Sequence, residues 1–219
     1  MIDGAALARR IAERTRLAIP PHTLGGYGIG GLLTPSVLDT IGGYGIRHDT
    51  PPGYAASAVL VAIVVEPGAP ERIIFIERRA DLRNHPGQVA FPGGRGDADD
   101  IDATATALRE AREELGILSD TISVLGLLDD VPTPSGFVIT PVVGIVRGPI
   151  ALVPAPEEVA SVFLASIDEL RAPGAHRENG VREFLGVSYT MHEYHWERWR
   201  IWGATARILH QLLSLLDGE

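Results

Sequence analysis

The amino-acid sequence predicts an α/β or α+β sandwich, in which a β-sheet is covered by two or three helices. Short apolar segments bounded by glycine and proline recur from residue 58 to residue 191, as expected of strands. Two longer segments, residues 102–115 and 200–216, carry apolar residues at helical spacing. The chain of 219 residues has 45% hydrophobic and 21% charged residues, which is typical of a folded domain with its own core. Strands combined with a few helices fit this class of sandwich.

The first 53 residues are predicted to form an extension outside the compact domain. Residues 3–18 have helical periodicity, which ends at Pro20-Pro21. Residues 25–53 are rich in glycine, and the pentapeptide Gly-Gly-Tyr-Gly-Ile occurs there twice. This segment lacks the spacing of a dinucleotide-binding fingerprint, so it is interpreted as an irregular linker or surface arm rather than as a ligand loop. We therefore predict an N-terminal helix and glycine-rich extension over residues 1–53 and a compact domain over residues 54–219.

The compact domain is predicted to begin with two strands, residues 58–65 and 72–77, which a Pro67-Gly68-Ala69-Pro70 turn joins. A glycine- and proline-rich stretch and an acidic loop then lead into a helix over residues 102–115, which Gly116 ends. Further strands are predicted at residues 122–128, 137–146, 159–164 and 186–191. The closing helix, residues 200–216, is amphipathic, and its predicted inward residues are Ile201, Ile208, Leu209, Leu212 and Leu216.

Charge and composition exclude several classes of function. The 19 basic and 28 acidic residues give a formal net charge of −9, whereas a protein that binds nucleic-acid backbones carries a basic surplus. The absence of cysteine excludes disulfides, thiolate catalysis and zinc–thiolate sites. The N-terminus lacks the basic and apolar regions of a signal peptide, and the longest apolar run, residues 55–65, is about half a membrane-spanning helix. We therefore expect a cytoplasmic protein that binds neither nucleic acid nor membrane.

The strongest chemical signal is the run Arg109-Glu110-Ala111-Arg112-Glu113-Glu114-Leu115-Gly116-Ile117. On a helix with about 100° per residue, its three glutamates lie within an arc of roughly 100°. Carboxylates at one patch repel each other, and a hard divalent cation such as Mg²⁺ or Mn²⁺ relieves that repulsion. The opposite, core-facing side is predicted to hold Thr104, Leu108, Ala111 and Leu115. A solvated acidic helix face is the alternative interpretation of the glutamates alone.

Together with the upstream turn Phe91-Pro92-Gly93-Gly94, this run resembles the Nudix box of Nudix hydrolases. The nine residues from Arg109 to Ile117 match every fixed position in the second half of that box. The first half departs from the pattern, because Arg95 and Ile101 stand where the family has a glycine and a glutamate. The loop is slightly longer than in the family, and its acidic residues are Asp97, Asp99, Asp100 and Asp102. The role of the first glutamate of the box is therefore left unassigned.

A second resemblance, upstream of the box, is to the coenzyme A diphosphatase branch of the Nudix family. Arg78, Arg83, Gly87 and the Phe91-Pro92-Gly93-Gly94 turn lie at the fixed positions of its signature. The resemblance covers roughly residues 54–216 and implies a Nudix-fold α/β/α sandwich with a mixed β-sheet. It also implies divalent-metal-dependent hydrolysis of the diphosphate of coenzyme A or acyl-coenzyme A. The implied products are adenosine 3′,5′-bisphosphate and 4′-phosphopantetheine or its acyl form.

The resemblance also implies roles for single residues around the metal. The expected ligands of Mg²⁺ or Mn²⁺ are Glu110, Glu113, Glu114 and the carbonyl of Gly94. Glu113 is expected to be a further ligand or a base that acts through water, and Arg109 is expected to orient a glutamate by a charge-assisted hydrogen bond. Glu158 is the expected carboxylate from outside the box. Glu157 in its place, or a capping or surface role for Glu158, remains open.

Substrate binding is expected from cations and from the turn. The expected substrate-binding residues are Arg78, Arg83 and Phe91, because arginine makes planar, bidentate contacts to phosphate. Functional and structural roles are equally open for Arg79 and His85. The expected partner is the small-molecule substrate, and the sequence leaves a homodimer open.

Two other functions remain open: hydrolysis of another nucleoside diphosphate derivative, such as ADP-ribose or NADH, and nucleotide binding without catalysis. The intact Arg-Glu and Glu-Glu pairs count against a module that only binds. The run His192-Glu193-Tyr194-His195 is one residue short of the metalloprotease spacing and is not interpreted as a metal motif. The aromatic group Tyr194, Trp196, Trp199 and Trp202 is interpreted as packing rather than as a base-stacking platform.

Overall fold

The computed structural model of the protein describes residues 53–184 and 187–217. The predicted N-terminal helix and nearly all of the glycine-rich segment lie outside these ranges, so the predicted extension stays a prediction. The strands are β1 (Ala55–Val65), β2 (Arg72–Arg78), β3 (Val89–Ala90), β4 (Gly93–Arg95), β5 (Ile122–Leu127), β6 (Val131–Pro132), β7 (Phe137–Arg147), β8 (Val159–Ser166), β9 (His176–Phe184), β10 (Val187–Trp196) and β11 (Trp199–Trp202). The helices are α1 (Ala103–Leu115), α2 (Ile167–Leu170) and α3 (Gly203–Asp217), with a 3₁₀ turn at Ser119–Thr121.

An eight-stranded mixed sheet forms the centre of the fold. Its two 11-residue strands, β1 and β7, run parallel, and the other strand pairs of this sheet are antiparallel. The strand order is β3-β2-β1-β7-β5, with β8 beside β2, β4 beside β1 and β6 beside β7. Both faces of β1 are buried, which explains why it reads as a nearly continuous apolar run rather than as an alternating strand.

Helices cover both faces of this sheet and create two apolar cores. On one face, α1 packs on alternate residues of β1, including Leu60, Ala62 and Val64. On the other face, α2, α3 and the three-stranded sheet β11-β10-β9 pack on Val61, Ile63 and the ring of Phe75. The predicted α/β/α sandwich with a mixed sheet is therefore confirmed, and the second sheet adds to one of its layers.

Two predictions about the C-terminal part are wrong in detail. Residues 200–202 belong to strand β11, and the closing helix begins only at Gly203. Strand β9 was not predicted, because its sequence His-Arg-Glu-Asn-Gly-Val-Arg-Glu-Phe lacks alternating apolar residues; hydrogen bonds to β10 hold it in place instead. Within the described ranges, no helix is long and apolar enough to cross a membrane.

Candidate metal and active site

Helix α1 carries the glutamates, and its two ends are set by its sequence. At the N-terminus, the Asp102 carboxylate accepts a hydrogen bond of 2.8 Å from the Ala105 N–H. At the C-terminus, Gly116 adopts a left-handed conformation with φ of 69°, and its N–H donates to the last helical carbonyls. These caps place Glu110, Glu113 and Glu114 in the last two turns of the helix, at the end nearest β4.

Small residues bring α1 close to the sheet and bury one of the glutamates. Ala103, Ala107 and Ala111 are fully buried on the sheet-facing side. At about 100° per residue, Glu114 falls on the same side as these alanines. It is 2% exposed, and its Oε2 accepts a hydrogen bond of 2.9 Å from the backbone N–H of Gly93 in β4.

The buried side of α1 therefore differs from the predicted one. Ala111 and Leu115 are buried as predicted, but Thr104 and Leu108 are only half-buried. The reason is that the alanines, rather than the larger residues, set the line of closest approach to the sheet. Glu114 lies on this line and is the innermost of the three glutamates.

Arg109 connects the acidic loop to two of the glutamates. Its guanidinium forms a bidentate ion pair with Asp100, at 3.1 Å from Nε to Oδ1 and 2.9 Å from Nη2 to Oδ2. Its Nη1 donates to Glu110 at 2.9 Å and to Glu113 at 3.0 Å, and its Nη2 donates to the Arg95 carbonyl at 3.0 Å. Arg109 thus bonds to three carboxylates, as its expected orienting role requires.

Asp100, an acidic residue of the loop for which the sequence predicts no role, belongs to the same network of ion pairs. Besides Arg109, its carboxylate accepts hydrogen bonds from the Thr106 hydroxyl at 2.7 Å and from the Asp97 N–H at 2.9 Å. Hydrogen bonds from Arg109, above all, hold the pKa of Asp100 at about 2. Asp102 has the separate role of capping α1. No periodic pattern links a loop aspartate to a helix arginine, so the pair was visible only in the structure.

Burial raises the pKa values of two carboxylates on α1. Burial above all, with the nearby charges of Glu110 and Glu158, raises the pKa of Glu114 to about 7, against the opposing effects of the Gly93 N–H and Arg78. Burial also raises the pKa of Glu110, against the opposing effect of Arg109. The side chain of Glu113 is 58% exposed. Two partly buried carboxylates with raised pKa values form a site where a divalent cation relieves the electrostatic cost.

Glu158 reaches this cluster from the loop that precedes β8. The Ala155 N–H donates to the Glu114 carbonyl at 2.8 Å, and the Arg79 N–H donates to the Glu158 carbonyl at 3.0 Å. These backbone contacts hold the loop between α1 and β2. The charge of Glu158 raises the pKa of both Glu110 and Glu114, so its carboxylate belongs to the same electrostatic cluster.

A buried carboxylate oxygen without a hydrogen-bond partner is the feature of the cluster that suits a cation. Among the described residues, Glu114 Oε1 and Arg78 Nε are buried without a hydrogen-bond partner, and Arg78 Nη1 lies 3.8 Å from Glu114 Oε1. A methyl group built on Gly94 would lie 2.5 Å from Glu110 Oε1, so β4 closely approaches this carboxylate. Glu110 and Glu114 therefore offer carboxylate oxygens next to β4, and oxygen is the ligand atom that hard divalent cations prefer.

The remaining predicted substrate-binding residues lie in different surroundings. Arg83 is exposed on the loop between β2 and β3. Phe91 is 2% exposed and packs on Phe75 with 4.8 Å between ring centroids, so it anchors the turn and offers substrate no open surface. Arg79, whose role was open, pairs with Asp81 at 2.6 Å and donates to the Pro156 carbonyl at 2.8 Å.

An open cleft of about 530 Å³ lies between β2, β3 and the β10–β11 hairpin. Its walls include Glu77, Gly87, Arg198, Arg200 and Trp202. Trp202 is 40% exposed there, whereas Trp199 is 9% exposed and stacks on Phe163 with 4.5 Å between centroids. Packing is therefore the role of Trp199, as predicted, while Trp202 presents a ring to the cleft.

The protein is similar to known proteins over most of its described residues. The family model of the NUDIX domain matches residues 55–210. A protein of Pectobacterium atrosepticum named "Uncharacterized Nudix hydrolase NudL" is 38% identical over 161 residues, covering 71% of this chain and 80% of its own. Its namesake from Yersinia pestis (strain Pestoides F) is 39% identical over 163 residues, covering 71% and 77%. The crystal structure of a MutT/nudix family protein from Enterococcus faecalis superposes with a TM-score of 0.52 at 15% identity, over 76% of this chain and 63% of that one, and shows similarity of fold.

Proposed function

The chain belongs to the Nudix family, and on that premise we propose that it hydrolyses the diphosphate of coenzyme A or acyl-coenzyme A with the aid of Mg²⁺ or Mn²⁺. The proposed products are adenosine 3′,5′-bisphosphate and 4′-phosphopantetheine or its acyl form. The observation that carries the proposal is the position of Arg78. This arginine, the first fixed residue of the coenzyme A signature, lies 3.8 Å from the innermost glutamate. A diphosphate held at the carboxylate cluster by a cation would therefore also meet a guanidinium.

The charges of the substrate explain why more than one arginine is needed. Coenzyme A carries a diphosphate and a separate 3′-phosphate, so its recognition requires cationic groups at two places. Arg78 lies at the end of β2 beside Glu114, and Arg83 is exposed five residues further along the chain. We assign Arg78 to the diphosphate and Arg83 to a phosphate farther from the carboxylate cluster.

The carboxylate cluster is assigned to the metal and to proton transfer. The proposed ligands are Glu110, Glu113, Glu114 and the Gly94 carbonyl, and a bound divalent cation supplies Lewis acidity that acidifies water and offsets charge on phosphoryl oxygens. Arg109 holds the glutamates in position through the ion pairs described above. Glu158 is exposed and lies in the same electrostatic cluster, which suits a carboxylate that accepts the proton of the attacking water.

A substrate panel tests the proposal. The full-length protein is incubated with coenzyme A, acetyl-coenzyme A, dephospho-coenzyme A, ADP-ribose and NADH, each with Mg²⁺ and with Mn²⁺, and the products are identified by mass spectrometry. We expect 4′-phosphopantetheine and adenosine 3′,5′-bisphosphate from coenzyme A. Much faster turnover of dephospho-coenzyme A or ADP-ribose would contradict the coenzyme A assignment, and no turnover of any substrate would favour a module that only binds.

The assignment of Arg83 has a matched control in the same panel. Arg83→Gln is expected to raise the KM for coenzyme A while leaving kcat nearly unchanged, because this arginine contacts substrate away from the reacting phosphorus. Arg147→Gln is the control, since Arg147 is exposed at the opposite end of β1 and β7. Equal KM values for the two variants would remove Arg83 from substrate binding.

A further inference from the structure

A second group of metal-ligating side chains lies on the other side of the central sheet from α1. It consists of His176 on β9, His192 on β10 and His210 on α3, and one ligand atom of each lies within 4.8 Å of the others. All three rings are half-buried. We propose that these histidines, named here the histidine triad, bind one divalent transition-metal ion of the zinc type.

Strand register explains why residues so far apart in sequence meet. His176 pairs with Tyr194 across β9 and β10, so both side chains lie on the same face of this small sheet. His192 is two residues before Tyr194 on β10 and therefore also points to that face. Helix α3 packs across it, and the His210 ring stacks on the His192 ring with 3.7 Å between centroids. Three separate elements thus each supply one imidazole to the same place.

One distance within the triad is close to that between two ligands of the same metal ion. His176 Nε2 and His192 Nδ1 are 3.0 Å apart. Two nitrogens bound to one tetrahedral zinc ion at about 2.0 Å lie roughly 3.3 Å apart. The three ligand atoms lie within 4.8 Å of one another, a range wider than one ion spans, so binding requires the rings to move together. A hydrogen bond between two neutral imidazoles is the competing explanation of the 3.0 Å contact.

A side-chain contact also orients one ring of the triad. The Tyr194 hydroxyl lies 3.0 Å from His210 Nδ1. A hydrogen bond to one ring nitrogen is the usual outer-shell support of a histidine ligand.

The ligand set selects the class of metal. Imidazole suits Zn²⁺, Co²⁺, Ni²⁺ and Cu²⁺, whereas Mg²⁺ and Mn²⁺ prefer the oxygen ligands found at α1. The two sites are therefore expected to take different ions. Because the triad joins β9 and β10 to α3, a bound ion would link the small sheet to the closing helix. The expected consequence is a higher melting temperature.

Cobalt absorption tests the triad directly. Co²⁺ is titrated into the full-length protein in excess Mg²⁺, and the visible d–d bands of nitrogen-rich coordination are followed. We expect one equivalent of Co²⁺ at this site, displacement by Zn²⁺, and loss of the bands in His176→Gln and His192→Gln. Tyr194→Phe is expected to weaken Co²⁺ binding by about 10- to 100-fold, because it removes the outer-shell partner of His210.

Two controls separate this site from others. His195→Gln is the matched control, because His195 lies on the same strand but contacts Glu193 on the opposite face. It is expected to keep the Co²⁺ bands and the Zn²⁺-dependent rise in melting temperature. Glu114→Gln is also expected to keep the bands, whatever its effect on turnover, so failure of the proposed function and failure of this proposal are distinguishable.

Two results would overturn the proposal. One is the absence of nitrogen-rich Co²⁺ bands in the wild-type protein, and the other is full retention of those bands in folded His176→Gln and His192→Gln. Circular dichroism establishes that each variant is folded. If the variants fail to fold, X-ray absorption of the Zn²⁺-loaded wild-type protein decides the matter: imidazole scattering from two or three ligands supports the triad, and its absence refutes it.

Discussion

The three glutamates of α1 show how one turn of helix creates three chemical environments. The side chains of Glu114, Glu110 and Glu113 are 3%, 15% and 58% exposed. Arg109 pairs with the two outer glutamates, while Glu114 meets a backbone N–H from β4. The innermost carboxylate thus has the least contact with solvent, and burial raises its pKa to about 7. A nearby cation is therefore needed most by the ionised form of Glu114. Substitution of Glu114 is accordingly the most direct test of the role of the cluster.

Glu114→Gln is expected to lower kcat by at least about 100-fold, the usual effect of removing one preorganised electrostatic group from an active site. The fold should persist, because glutamine retains an oxygen for the Gly93 N–H and removes a buried charge. Turnover and thermal unfolding of the metal-free protein measure the two effects. Activity within a few-fold of the wild type would exclude Glu114 from the mechanism.

Arg109→Lys is expected to reduce metal affinity by about 10- to 100-fold, in line with the loss of outer-shell partners at other metal sites. Lysine keeps the charge but cannot form the bidentate pair with Asp100 while also contacting Glu110 and Glu113. Calorimetric titration with Mn²⁺ gives the affinity. The positioning role predicts that saturating Mn²⁺ restores part of kcat, and a loss of kcat with unchanged Mn²⁺ affinity would contradict it.

Glu158→Gln and Glu157→Gln form a matched pair of adjacent, exposed substitutions. Of these two glutamates, only Glu158 adds to the burial that raises the pKa values of Glu110 and Glu114. A general base typically contributes about 10²- to 10⁴-fold, so Glu158→Gln should lower kcat within this range and Glu157→Gln should leave it nearly unchanged. Equal kcat values for the two variants would contradict the assignment of Glu158 as the general base.

At the scale of elements, β4 shows how a three-residue strand positions two layers of the fold. Gly94 of β4 pairs with Ala58 and Gly93 with Val59, at the N-terminal end of β1, so β4 is held by the central sheet. On its other side, β4 approaches α1 closely enough for the Gly93 N–H to bond to Glu114. The two glycines therefore serve different contacts. Gly93 faces the backbone of β1, and Gly94 faces the carboxylate of Glu110.

Gly93→Ala and Gly94→Ala should accordingly affect different properties, the first the stability of the fold and the second the affinity for Mn²⁺. The added methyl of Gly93→Ala would lie 2.4 Å from the Ala58 carbonyl oxygen, and φ at this position is 155°, so a marked loss of stability is expected. The added methyl of Gly94→Ala meets only the end of the Glu110 side chain, which can move. Gly94→Ala should keep its melting temperature but bind Mn²⁺ more weakly. A similar loss of stability in both variants would contradict this division.

At the scale of the whole molecule, the sequence predicts those parts of the structure that leave a local pattern. Apolar runs located the long strands, and helical spacing with Gly116 located α1 to within one residue of its observed start. Strand β9 is not predicted, because its pairing with β10 stabilises it rather than a pattern of its own apolar residues.

The same holds for the candidate site. Motif spacing predicted Glu110, Glu114 and Arg78 as site residues, and in the structure these three residues lie close together. The partnership of Asp100 with Arg109 depends on how the loop folds back over α1. The histidine triad depends on strand register and on the packing of α3. Contacts of this kind join distant segments, so no single-sequence periodicity records them.

Stability of the whole fold should depend on pH through Asp130, which lies between β5 and β6. The carboxyl group is 6% exposed and accepts a hydrogen bond of 2.7 Å from the Thr140 hydroxyl, and burial raises its pKa to about 7. In the unfolded chain its pKa is about 4, so the folded state binds the proton more tightly. The folded state is therefore favoured at low pH, and stability is lost as the pH rises from about 4 to about 7.

Asp130→Asn should remove this dependence, because asparagine is neutral and its side-chain oxygen can still accept from Thr140. The stabilisation of Asp130→Asn over the wild type should increase by roughly 2 to 3 kcal/mol between pH 5 and pH 8, since each pKa unit is worth about 1.4 kcal/mol. Urea unfolding at the two pH values, without divalent metal, measures it. Asp168→Asn at an exposed position is the control and should show the same difference from wild type at both pH values. A stabilisation by Asp130→Asn that is independent of pH would show that Asp130 is already ionised in the folded protein at pH 5.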